Sequence, residues 1–200
     1  MIPTALSCNP SKLWNRNSKR FSTLIPYLSI PFLLAGFDIA LSLSETLELL
    51  ANSPELRADH RIVRGIDPPS FTIVGDPDQI RQVFWNLARN AVQAMSQGGT
   101  LTVVTEVEAD SYRILFTDSG RGMNQADLQR LFQPFRTNFP SGTGLGMAIS
   151  YRIVQEHGGR IDVQSLEGHG TTITVTLPLY ATATMPINVR RTDPVSATSP

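Results

Sequence analysis

Apolar residues recur at helical spacing most clearly between Asp76 and Gly99. Ile80, Val83, Phe84, Leu87, Ala88, Ala91, Val92 and Met95 follow the i, i+3, i+4, i+7 pattern of a single buried face. Asp76 is a cap, Pro77 suits the first turn, Asp78 complements the positive end, and Gly98-Gly99 marks the stop. Leu43, Leu47, Leu50 and Ala51 keep nearly the same period and predict a helix over residues 38–52. Gln125 to Phe132 predicts a short helix, and Thr143 to His157 a longer one ended by Gly158-Gly159. Elsewhere the pattern changes to alternation. His60 to Ile66 and Phe71 to Val74 read as strands about an Asp67-Pro68-Pro69-Ser70 turn. Leu101 to Val107 and Tyr112 to Thr117 flank Ala109-Asp110; Arg160 to Gln164 and Thr171 to Leu177 flank Glu167-Gly168-His169-Gly170. Helices interleaved with hairpin-like strand pairs predict an α+β fold. Its form is a two-layer α/β sandwich, with helices on one face of a mixed, mostly antiparallel sheet.

The ends change this picture. Residues 1–37 begin with polar turn residues, where poor order is expected. An apolar run, Leu24 to Phe37, follows Lys12, Arg16, Lys19 and Arg20, which is the layout of a signal peptide. The run is short for a bilayer and is interrupted by Pro26 and Pro31. Its alternative readings are a remnant of an upstream dimerisation region and a helix that packs on a partner. Pro134 to Ser141 has no periodicity and reads as a loop; beyond Pro178 an Ala-, Thr-, Pro- and Ser-rich stretch reads as disordered. The organisation expected is therefore an atypical segment 1–37, one domain over 38–178, and a tail 179–200.

Lys and Arg total 17 and Asp and Glu 17, so net charge offers no case for nucleic acid or an anionic membrane as partner. Cys8 is the only cysteine, which excludes a disulfide or a cysteine metal site within one chain and fits a reducing, cytoplasmic compartment.

Three constellations carry candidate chemistry. Asn86 and Asn90 fall on the border of the long helix's apolar face, beside Gln79 and Gln93. Amide oxygens suit Mg²⁺ and amide nitrogens can donate to phosphate, although such amides also satisfy backbone groups at helix–sheet junctions. Asp118 ends an apolar strand and enters Ser119-Gly120-Arg121-Gly122. Its carboxylate can accept from an exocyclic amine such as adenine N6, with glycines leaving room for a flat ring; a plain strand-to-loop turn is the alternative. Gly142-Thr143-Gly144-Leu145-Gly146 leads into a helix, an arrangement suited to an anion or to a hinge. No GK[ST] follows it and no strand immediately precedes it, so it is neither a Walker A loop nor a dinucleotide fingerprint.

The order of these elements resembles the ATP-binding domain of sensor histidine kinases, within the wider family shared with gyrase, the Hsp90 chaperones and the MutL repair proteins. The resemblance covers about residues 38–178. Asn86-Leu87-Ala88-Arg89-Asn90-Ala91 is similar to the N box, Asp118 to Gly122 to the G1 box, Phe132-Gln133-Pro134-Phe135-Arg136-Thr137 to the F box, and Gly142 to Gly146 to the G2 box. Gly170 to Pro178 is also typical, and Tyr151 to Gly159 is worded like nitrogen-regulation and pilus-type kinases.

The resemblance implies a Bergerat ATP-binding fold, ATP and Mg²⁺ as cofactors, Asn90 as the metal ligand, and Asp118 as the reader of adenine. A mobile lid is implied over about 123–145. The ATP site it implies comprises Asn86, Asn90, Gln93, Asp118, Gly120, Gly122, Met123, Phe132, Phe135, Arg136, Thr137, Gly142, Thr143, Gly144, Leu145, Gly146 and Thr172. Asn86 stands where hydrolysing relatives carry a general-base Glu, and an amide cannot take a proton, so transfer is expected over hydrolysis.

None of His60, His157 and His169 is followed by an acidic residue, so no phospho-accepting hairpin is expected among these residues. Asn138 replaces the lysine that relatives often carry after the F-box threonine. The expected partner is a histidine-containing dimerisation domain of a sensor kinase and, indirectly, a response regulator. Two alternatives are a non-catalytic nucleotide-binding module docking on another kinase and a trans-acting serine kinase of the anti-sigma type.

Overall fold

In the computed structural model, residues 6–8, 35–135 and 144–179 are described. Alternating burial along the strands builds a six-stranded sheet in the order β1-β7-β8-β6-β5-β3, comprising β1 (Leu6–Cys8), β3 (His60–Gly65), β5 (Gly99–Val107), β6 (Ser111–Asp118), β7 (Arg160–Leu166) and β8 (Gly170–Pro178). Every pairing is antiparallel except β3 with β5. Leu101, Val103, Ile114, Phe116, Ile161, Val163, Ile173 and Val175 share the inner face and are almost fully buried.

Three helices cover that face: α1 (Ile39–Ala51), α2 (Pro77–Ala94) and α4 (Gly146–Glu156). The short helix α3 (Gln125–Arg130) follows β6. Ile39, Leu43, Leu47 and Leu50 are the buried stripe of α1, and Ile80, Val83, Phe84, Leu87, Ala88, Ala91 and Val92 that of α2. Phe84 meets Phe116 across the layers with ring centroids 6.2 Å apart. The expected α+β sandwich is the fold observed.

One expected pairing is corrected. The strand over Phe71 to Val74 does not form a hairpin with β3. It is β4 (Thr72–Gly75), and it pairs antiparallel with β2 (Ala35–Asp38) in a separate two-stranded sheet. β3 instead lies parallel to β5, and a parallel neighbour requires a crossover, which α2 supplies. Asp38 fixes the corner by accepting from the amides of Leu41 and Phe71 and from the Ser70 hydroxyl. β1 adds an edge strand to β7 from within the first 37 residues, where poor order was expected. The helix expected from Thr143 begins at Gly146, and the long helix ends at Ala94 rather than running to Gly98. Most of the apolar run Leu24 to Phe37, residues 136–141 of the expected loop with 142–143 after it, and the tail beyond 179 lie outside the described residues. Among the described residues no helix is long and apolar enough to cross a membrane.

Candidate nucleotide site

The site is built on α2. Asp76 caps it by accepting from the amides of Asp78 and Gln79, and Pro77 opens the first turn. Burying the apolar stripe then leaves Asn86, Asn90 and Gln93 half-buried at its edge. They form one wall of a cavity of about 290 Å³. The ends of β6 and β8 form its floor with Phe116, Asp118, Thr171 and Ile173; Gly144, Gly146 and Met147 close it at the start of α4. Met123, Asp127, Arg130 and Leu131, in and around α3, also line it.

Asp118 is almost fully buried, at 7% exposure. Desolvation drives its carboxyl from 3.8 up to about 6, partly offset by the backbone amides of Gly120 and Thr171. The Gly120 amide donates to Oδ1 at 2.9 Å. A buried carboxylate with little compensation is a strong acceptor for a donor brought in by a ligand. The glycines after it have a different reason from the one expected. A Cβ at Gly120 would lie 2.6 Å from the Ala94 carbonyl oxygen, and one at Gly122, where φ is 63°, would collide with the Leu166 carbonyl. They let this loop pack on the end of α2 and on the β7–β8 turn; the space they leave is filled by backbone, not by a ring.

Asn86 ties two walls together. Its amide nitrogen donates to the Gly146 carbonyl at 3.3 Å and to Ser150 Oγ at 3.2 Å. Leu145 stands at the N-cap of α4 with no side-chain capping bond, and Gly144 takes the left-handed φ of 68°. Uncapped amides of the first turn therefore border the cavity. Among the described residues no group of three or more His, Cys, Asp or Glu could hold a metal. A cation here would take few protein donors, and Asn90, whose amide oxygen is a hard donor, lines the cavity. That donor set fits Mg²⁺, which keeps waters and shares phosphate oxygens, and does not fit a softer metal.

Of the residues expected at the site, Asn86, Asn90, Gln93, Asp118, Gly122, Met123, Gly144 and Gly146 line one cavity. Gly120 and Leu145 stand behind it as turn and cap. Phe132 is buried in the core with its ring 5.3 Å from that of Tyr151, and Phe135 is 75% exposed. Thr172 is corrected: it sits on the outer sheet face with its hydroxyl 3.1 Å from that of Thr117, and Thr171 faces the cavity. The signal for Thr171 was the alternation itself, because it shares the face of buried Ile173 and Val175. Arg136, Thr137, Gly142 and Thr143 lie outside the described residues. Arg89, Met147 and Ile173 also line the cavity and were not expected there; Arg89 sits inside the N-box spacing and reads as an ordinary solvated charge.

The family of histidine kinase-, DNA gyrase B- and HSP90-like ATPases matches residues 75–181. Sensor histidine kinase ZraS of Escherichia coli strain K12 is 37% identical over 164 residues, 80% of this chain and 33% of ZraS. Sporulation kinase E of Bacillus subtilis strain 168 is 38% identical over 143 residues, 70% of this chain and 19% of that kinase. The nucleotide-free catalytic domain of histidine kinase ThkA superposes with a TM-score of 0.66 at 25% identity, covering 74% of this chain and 99% of that domain. Full-length ShkA in complex with AMPPNP superposes with a TM-score of 0.67 at 26% identity, covering 84% of this chain and 36% of ShkA. The chain spans a third or less of the length of these two curated relatives. It belongs to the histidine kinase-, DNA gyrase B- and HSP90-like ATPase family, and within it is similar to the ATP-binding catalytic modules of sensor histidine kinases.

Proposed function

We propose that the cavity holds Mg-ATP for phosphoryl transfer to a histidine on a separate acceptor domain. The observation that carries this reading is the buried, under-compensated Asp118 carboxylate on the floor of a cavity whose rim is the uncapped start of α4. Asp118 accepts the adenine amine, and the amides at Gly144 to Met147 face the phosphates. Asn90 is the protein's ligand to Mg²⁺, which when bound neutralises charge on the phosphates. Asn86 supplies no base: its amide is occupied in holding α4, and it cannot take a proton from water. ATP is thereby kept for a nucleophile brought from outside the cavity. ShkA was solved with an ATP analogue, which supports the nucleotide half of this reading. Calorimetry with ATP and ADP, with and without Mg²⁺, tests it. Binding by the wild-type chain and its loss in Asp118→Ala are expected; equal affinities for both would remove the adenine assignment.

A further inference from the structure

Five charged residues line the cavity: Arg89, Asp118, Arg121, Asp127 and Arg130. Arg89 alone comes from α2, the helix bearing Asn86 and Asn90. The other cation of that helix, Arg81, pairs with Asp78 and does not line the cavity. Gln93, one turn beyond Arg89, is neutral. The amide wall of the cavity therefore has one source of positive charge.

Arg89 also lines a second cavity, of about 310 Å³, with Glu55, Arg57 and His60, so its side chain stands in the partition between the two. The second cavity is internally satisfied. Arg57 donates to Asp59 and to the Ser96 carbonyl; His60 accepts from the Arg57 amide and donates to the Met95 carbonyl. Arg89 differs. Its Nε donates to both carboxylate oxygens of Glu55 at 2.8 Å, and in the hydrogen bonds among the described residues it engages through Nε alone. The two terminal nitrogens keep their protons for another acceptor. Nucleotide phosphates carry several negative charges, and a guanidinium fork anchored at one nitrogen is matched to phosphate oxygens in geometry and in charge.

We propose that Arg89, oriented by Glu55, is the α2 cation that binds the polyphosphate of the nucleotide, so that this chain reads phosphate number through the Glu55–Arg89 pair. The inference rests on the reading of the cavity as a nucleotide site. Glu55 is a positioning residue: it holds the guanidinium by Nε and leaves the terminal nitrogens directed by that bond.

The test is calorimetry of adenosine, ADP and ATP, with Mg²⁺, on the full chain. Arg89→Ala is expected to weaken ATP about 10-fold or more, ADP less, and adenosine by less than about 2-fold. Arg89→Lys keeps the charge without the fork and is expected to recover part of the ATP affinity; Glu55→Gln is expected to weaken ATP several-fold with adenosine unchanged. Unaltered ATP affinity in Arg89→Ala overturns the proposal, and so does an equal loss for adenosine and ATP, which marks a structural role. Unaltered ATP affinity in Glu55→Gln overturns the positioning role. If Arg89→Ala does not fold, the ATP-to-adenosine ratio of Arg89→Lys decides by the same criterion. Failure of the wild-type chain to bind any of the three ligands overturns the nucleotide reading itself, an outcome distinct from the others.

Discussion

Asp118 sets two opposing effects against each other. Because burial raises its carboxyl from 3.8 to about 6, the folded chain between those values keeps a proton that the unfolded chain has released. Its contribution to stability therefore falls as pH rises through that window and stays unfavourable above it. Asp118→Asn removes the charge and keeps an oxygen for the Gly120 amide. At pH 7.5 the ligand-free variant is expected to be more stable by about 1–3 kcal/mol, and below pH ~4 no more stable than wild type. Denaturant melts at the two pH values check this. The same variant is expected to bind ATP and ADP about 10-fold more weakly, because an ionised acceptor has been lost. Asn90 gives a second test at this scale: Asn90→Ala is expected to fold normally and to lose the Mg²⁺-stimulated part of ATP binding. Calorimetric titration with and without Mg²⁺ measures it, and persistence of the stimulation would place the metal ligand elsewhere.

Helices α2 and α4 are tied at two places, at the site and at the end of α4 away from it. Asn86 of α2 reaches the start of α4, and at the other end of α4 His157 reaches back to the start of α2. The Asp76 amide donates to His157 Nε2 at 3.0 Å, while Nδ1 donates to the Ile153 carbonyl at 2.8 Å. The imidazole thus bridges the C-terminus of α4 and the N-cap of α2. Gly75 leaves space for its ring, since a Cβ there would lie 2.8 Å from His157 Cδ2. His157→Ala strands a backbone amide and opens a gap, and is expected to cost about 1–3 kcal/mol of unfolding free energy. A loss of ATP affinity larger than that of adenosine is also expected, because α4 carries the phosphate-facing amides. A melt unchanged from wild type would show that the bridge does not stabilise the fold.

At the scale of the whole chain, none of His60, His157 and His169 lines the cavity. His60 and His157 have both ring nitrogens engaged, and His169 lies in the β7–β8 turn, away from the cavity lining. Incubated with γ-labelled ATP and Mg²⁺, the chain alone is expected to acquire no acid-labile, alkali-stable label and to release phosphate only slowly. A separate acceptor hairpin from a cognate kinase is expected to become labelled under the same conditions. Label on the chain alone, abolished by His60→Ala, would show that the β3 region opens to the phosphates.

Features that depend on neighbours along the chain were legible in the order of residues. The 3.6 period and the Asp76-Pro77 start specified α2, alternation specified β5, β6 and β8, and spacing placed Asn86, Asn90, Asp118 and Gly144 to Gly146 in one family pattern. Local propensity and side-chain periodicity are short-range properties, so they survive in the linear order of residues. Tertiary structure decided what depends on partners far apart in sequence. β3 took β5 rather than β4, because a strand's pattern states which face is buried but not which neighbour completes its hydrogen bonds. Gly120 and Gly122 proved to be packing glycines, since only the folded chain brings the Ala94 and Leu166 carbonyls against them. Alternation put Thr171 on the buried face, and its register with Asp118 brought that face to the cavity. Desolvation, which moves Asp118 to about 6, and the partition that places Arg89 between two cavities exist only once β6, β8 and the helices have closed around them.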